Sequence, residues 1–180
     1  LKQHSLNHRI AENEDDAEEL WEVRRQGSSA MKKLANTKLN EDIVIPLNRQ
    51  VELVSFVENL RHEFHLNIGV FGHCGDGNLH VNFMYDEDNE NETDRAVSAL
   101  NLLMEKVVAL GGAISGEHGV GLAKTPFVHK QFNDAELKAM KAIKKALDPK
   151  GILNPGKIFD VFKPWTYKKE KVVLSWERHD

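Results

Sequence analysis

The chain has 180 residues with 41% hydrophobic and 29% charged content, which fits a globular domain with its own core and excludes a disordered chain. Its formal net charge of -4 leaves no basic footprint for nucleic acid. A lone cysteine, Cys74, excludes an intrachain disulfide and suits a reducing compartment; no apolar run approaches the ~18 residues of a membrane-spanning helix.

Residues 1–13 are polar and read as a flexible lead segment. The sequence opens at Leu1 and its first methionine is Met31, so the expectation is a fragment or a processed piece of a longer protein. An acidic run from Glu14 to Glu19 favours a helix start through the backbone dipole. A helical stripe follows at Leu20, Val23, Gly27, Ala30, Met31 and Leu34. At roughly 100° per residue, Arg24 falls at the edge of this stripe and Arg25 far from it. Arg24 is therefore the arginine placed to face a pocket.

"EDIVIP" (Glu41–Pro46) reads as a short β-branched strand ended by proline. Helical spacing returns at Val51, Val54, Val57 and Leu60. "NIGVFG" (Asn67–Gly72) carries no charge and reads as a central strand. "NLHVNFMY" alternates, sending Leu79, Val81 and Phe83 to one face and His80, Asn82 and Met84 to the other. An acidic loop, a helix to Leu110 and a short strand in "GGAISGEHGVG" come next.

The order strand, helix, strand, strand, helix, strand is that of a split βαβ unit. The fold class expected is α+β: a ferredoxin-like antiparallel sheet with helices on one face, followed by a C-terminal helical segment. The sheet's other face must then meet something else, such as another domain. Asn133 and Glu136 form a capping-box pattern for a helix through Leu147. Lys138, Lys141, Lys144 and Lys145 read as its solvated face, and Trp165 and Trp176 as packing anchors. The expected division is 1–13, a domain over 14–162, and a charged tail over 163–180.

The chemistry concentrates in two stretches. In "FGHCGDGNLHVNF" (Phe71–Phe83), His73 ends one strand and lies across a turn from His80 on the next. Neutral imidazole suits zinc and similar divalent metals, and two from one hairpin make half a site. The spacing alone fits an ordinary turn with surface histidines equally well. "SGEHGVG" (Ser115–Gly121) adds a carboxylate beside an imidazole among three glycines. Glu117 can complete a His-His-Glu set with open positions, as a catalytic metal needs, and His118 would stand next to it as a general base. Cys74 reads as a small core residue outside the site. A metallohydrolase built on the same set is possible on this chemistry alone.

"GHCGDGNLH", "GEHGVG" and "ILNPGKIF", in this order and spacing, resemble the C-terminal cap domain of the FAD-linked oxidase family. The branch is that of D-lactate dehydrogenase, the glycolate oxidase D subunit and D-2-hydroxyglutarate dehydrogenase. "LWEVRR" and "EDIVIPL" match the same domain, so the resemblance covers roughly residues 15 to 162.

The resemblance implies an FAD-dependent dehydrogenase that oxidises a D-2-hydroxy acid to a 2-oxo acid. It implies that His73, His80 and Glu117 bind zinc or manganese, and that His118 is the base near the flavin. Asn82, Arg24 and Ser28 would bind substrate, with Arg24 on its carboxylate. Asn154 and Lys157 would lie near the flavin at the domain junction. The FAD-binding domain itself is absent from the sequence, so this chain would be inactive alone and needs that domain or subunit as its partner. The expected location is cytoplasmic, or peripheral at a membrane surface. The other reading is a stand-alone, non-catalytic cap-domain remnant that binds a metal or a partner. The particular hydroxy acid and the electron acceptor stay open.

Overall fold

The computed structural model describes residues 9–31 and 33–166. Trp176 and the tail beyond 166 lie outside the described residues, as do residues 1–8.

Helix α1 spans Glu14–Met31, with Glu14, Asp15 and Asp16 in its first turn. The Asn13 side chain accepts from the Asp16 amide at 2.9 Å, satisfying one of the free N–H groups at the helix start. Arg9 folds back onto Asp16 at 2.9 Å and Glu19 at 2.6 Å, so the end of the lead segment is tied to the helix. The expected stripe is not buried throughout: Val23 is 70% exposed, and Leu34, which lies past the end of α1, 56%.

Strand β1 runs Thr37–Val44, helix α2 Gln50–Phe64, strand β2 Asn67–His73 and strand β3 Asn78–Tyr85. The sheet order is β1-β3-β2 and both pairings are antiparallel. β1 begins four residues before the "EDIVIP" expectation and ends two earlier. Its limits are set by its partner, since Thr37 faces Tyr85 and Val44 faces Asn78 across the whole of β3. Helix α3 covers Glu90–Ala109, capped by the Asn89 side chain on the Glu92 amide. The short α4 (Val128–Gln131) and the longer α5 (Asp134–Leu147) follow. The expected capping box forms at Asn133 and Glu136.

The alternation of faces expected for β3 holds. Leu79, Val81 and Phe83 join Leu53, Leu60, Leu100 and Leu103 in the core, where α2 and α3 pack on the sheet. Fully burying each such side chain is worth ~1.5–3 kcal/mol. His80, Asn82 and Met84 are buried too, on the opposite face. That face is reached by α1: a Cβ on Gly69, which pairs with Asn82, would lie 2.5 Å from Met31 Sδ.

The fourth strand reduces to one antiparallel bridge, Val44 to Ala113. Beyond Ala113 the chain stays beside β1, but its amides turn to the Asp42 side chain instead of a continued ladder. Two smaller expectations also change. Cys74 is exposed, because it sits in the turn after β2 rather than in the strand pleat. The α5 lysines are not all free in solvent: Lys144 binds Asp148 at 2.5 Å and the Leu153 carbonyl at 2.7 Å, and Lys145 donates to the Pro149 carbonyl. Trp165 does act as an anchor, with its ring centroid 6.1 Å from that of Phe127.

Candidate functional site

The site is built where the β2–β3 hairpin turn meets the 114–121 loop. The turn is closed by the Asp76 and Gly77 amides donating to the His73 carbonyl, and Asp76 Oδ1 accepts from the Asn78 amide at 2.9 Å. Gly77 has φ +82, and a Cβ there would overlap the Ile45 carbonyl, so this position requires glycine. Because Phe71 pairs with His80 and His73 lies two residues further along, Phe71, His73 and His80 share one face of the sheet. The Phe71 ring lies 5.3 Å from that of His80, and the His73 ring 6.1 Å.

Glu117 comes to this face from the loop beside β1. One donor atom each from His73, His80 and Glu117 lies within 4.8 Å of the other two. Glu117 Oε1 is 3.4 Å from His80 Nε2 and 3.7 Å from His118 Nε2. The His80 and His118 rings are 5.4 Å apart. His80 is buried, whereas His73, Glu117 and His118 are exposed, so the cluster has a closed back and an open front. Burial is the main influence on the His80 imidazole and holds it below its ordinary range. It therefore stays neutral, with a lone pair to offer. Two imidazoles and a carboxylate are a donor set that suits zinc or manganese.

The other expected site residues are placed as follows. Asn82 is fully buried; its Nδ2 donates to the His80 carbonyl at 3.1 Å and its Oδ1 has no hydrogen-bond partner. Arg24 is exposed on α1, 5.9 Å above the Trp21 ring, and lines a 330 Å³ cavity with Ala11, Ala17, Leu20 and Trp21. No contact among the described residues joins Arg24 to the histidine cluster. The Ser28 side chain lies outside the described residues. Asn154 and Lys157 share a turn in which the Lys157 amide donates to the Asn154 carbonyl, and the next amide, Ile158, donates to the Gly121 carbonyl at 3.0 Å. The "NPGK" turn is thus tied to the end of the glycine loop. The cavity beside it is only 180 Å³, below the ~300–1,000 Å³ usual for small-molecule sites. Among the described residues, Asn154 and Lys157 lie on an exposed turn and enclose no cavity of that size.

Three charged residues at the back of the cluster were not singled out from sequence. Asp42, opposite His80 in the register, is 1% exposed and accepts the Asn78 side-chain amide at 2.6 Å. Burial pushes its carboxyl up, but the His118 amide, Asn78, Lys124 and the Glu117 amide outweigh that and hold it at about 2. Lys124 is buried and donates to the Asp42 carbonyl. Burial lowers its ammonium group from the ordinary lysine range. Glu41, next along β1, points to the core face; burial, only partly offset by Lys124, pushes its carboxyl up to about 7. The available signal was a pair of acids inside a β-branched run: alternation must send one of them into the core.

Residues 1–158 match the family model described as FAD linked oxidases, C-terminal domain. Over 149 residues the chain is 40% identical to the glycolate oxidase subunit GlcD of Bacillus subtilis (strain 168), covering 83% of this chain and 32% of that protein. It is 32% identical to the mitochondrial D-lactate dehydrogenase [cytochrome] of Arabidopsis thaliana, over 83% of this chain and 27% of that one. It is 30% identical to the D-2-hydroxyglutarate dehydrogenase of Stutzerimonas stutzeri (strain A1501), over 83% of this chain and 33% of that one. The chain therefore spans about a third of the length of the curated relatives it matches. No helix among the described residues is long and apolar enough to cross a membrane. By the match over residues 1–158, the chain belongs to the family of FAD-linked oxidase C-terminal domains.

Proposed function

We propose that this chain is the substrate- and metal-binding part of an FAD-dependent dehydrogenase that converts a D-2-hydroxy acid to a 2-oxo acid. The observation that carries the reading is the convergence of His73, His80 and Glu117 within 4.8 Å, with His118 alongside Glu117. The names of the relatives, which cover glycolate, lactate and 2-hydroxyglutarate, support the hydroxy-acid class.

His73, His80 and Glu117 would hold a divalent cation, zinc or manganese, at the open front of the cluster. When bound, the cation supplies a Lewis acid at the substrate hydroxyl, and the flavin of the FAD-binding domain supplies the hydride acceptor. His118 would take the hydroxyl proton; its half-exposed ring beside Glu117 fits a base that exchanges protons with solvent. Arg24 would pair with the substrate carboxylate through its planar fork, and Ser28 is assigned to substrate binding with it. Asn82 would steady the substrate from beneath, through its unpartnered Oδ1 or by holding the His80 main chain. Asn154 and Lys157 would meet the flavin at its exposed edge. The FAD-binding domain is the partner this scheme requires.

The test is made on the flavoprotein that contains this chain. Flavin bleaching on anaerobic mixing with D-lactate, glycolate or D-2-hydroxyglutarate, lost after chelation and restored by zinc or manganese, is the expected result. Bleaching that survives complete metal removal overturns the metal role. No bleaching with any D-2-hydroxy acid overturns the substrate class.

A further inference from the structure

Both halves of the metal cluster lean on one buried carboxylate. Asp42 Oδ2 accepts three consecutive main-chain amides, those of Gly116, Glu117 and His118, each at 2.9 Å. Its Oδ1 accepts the Asn78 side-chain amide at 2.6 Å and faces His80 Nδ1 at 4.0 Å. Lys124 anchors the same residue from behind: its ammonium donates to the Asp42 carbonyl and lies 3.8 Å from Oδ2. Gly116 leaves room for this arrangement, since a Cβ there would overlap Asn78 Nδ2 and Asp42 Oδ1.

We propose that Asp42 is the positioning residue of the site: Oδ2 sets the main chain beneath Glu117 and His118, and Oδ1 keeps the His80 ring turned with Nε2 toward Glu117. The claim on His80 rests on the metal reading above. A ring nitrogen that faces a carboxylate carries the proton, which leaves the lone pair on the other nitrogen for the metal. Past the Val44–Ala113 bridge no regular ladder continues: the Gly116 amide also reaches the Asp42 carbonyl at 3.3 Å, but those of Glu117 and His118 turn to the side chain. The carboxylate replaces that ladder with one acceptor for three donors, and so fixes where the Glu117 and His118 side chains leave the main chain.

The test uses the full chain, Asp42→Asn, and Co²⁺ as probe metal. Asn keeps the volume but removes the charge and turns one acceptor into a donor. Cobalt affinity is expected to fall about 10–100-fold, and the visible bands at saturating Co²⁺ to differ from those of the unmodified chain, a change that a general loss of stability does not produce. Unchanged affinity with unchanged bands overturns the proposal. A second readout needs no variant. In the metal-free, unmodified chain the amides of Glu117 and His118, on exposed residues, are expected to exchange slowly; exchange at the rate of an unstructured chain overturns the main-chain role. An unmodified chain that takes up no Co²⁺ overturns the metal reading and the claim on His80, while amide exchange still decides the role on the loop.

Discussion

Glu117 Oε1 and His80 Nε2 lie 3.4 Å apart although they come from a loop and a strand 37 residues distant in sequence. A separation of that size leaves space for a bridging cation. His80→Ala is therefore expected to remove bound zinc or manganese, read by elemental analysis of the purified chain, and to abolish turnover in the flavoprotein. An active, metal-free variant would show that His80 is not a ligand.

His118 stands beside Glu117 without completing the three-atom cluster. His118→Ala is expected to retain metal while turnover falls roughly 10²–10⁴-fold, the usual contribution of a general base. Loss of metal together with activity would make His118 a ligand instead.

Glu41 provides a prediction about stability. Its carboxyl titrates at about 7 in the fold against an ordinary 4.5. Between those values the unfolded chain releases a proton that the folded chain keeps, so Glu41 makes stability fall as pH rises from about 4.5 to 7. Glu41→Gln is expected to change little at pH 4 and to stabilise the chain at pH 8 by on the order of 3 kcal/mol, at ~1.4 kcal/mol per pH unit. Urea unfolding at the two pH values checks this. An equal difference at both would mean that the carboxyl is not held protonated.

The glycines of the two loops divide sharply. A Cβ on Gly116 would meet Asn78 and Asp42, whereas one on Gly75 would meet nothing within 4 Å. Gly116→Ala is expected to cost about 1–3 kcal/mol, the usual range for overpacking, and to weaken metal binding. Gly75→Ala is expected to leave both unchanged. Thermal melts and metal titration of the two variants separate them.

Much of this site was legible because it lies on a strand. Period-two alternation alone put His80 and Asn82 on one face, and turn chemistry put His73 across from His80. The capping box at Asn133 was equally plain, since it is local in sequence. What could not be read depends on distant partners. Asp42 looks like an ordinary charge beside Glu41; only the register that sets it opposite His80, and the loop folding back beside β1, reveal its acceptor role. The fourth strand was overcalled because its amides could be satisfied by a side chain as well as by a ladder. That α1 itself reaches the polar face could not be read either, because nothing local indicates that Met31 comes to lie against Gly69, beside Asn82.

The contact between the 113–116 segment and β1 has a consequence for solubility. Val44 exchanges two main-chain hydrogen bonds with Ala113, and the Gly116 amide reaches the Asp42 carbonyl. The loop that bears Glu117 thereby caps a strand edge that would otherwise be open to pairing with a neighbouring chain. Substitutions that lift this loop would uncover an adhesive edge as well as impair chemistry, so inactive variants of the glycine loop should be checked for self-association before their loss of activity is assigned to catalysis.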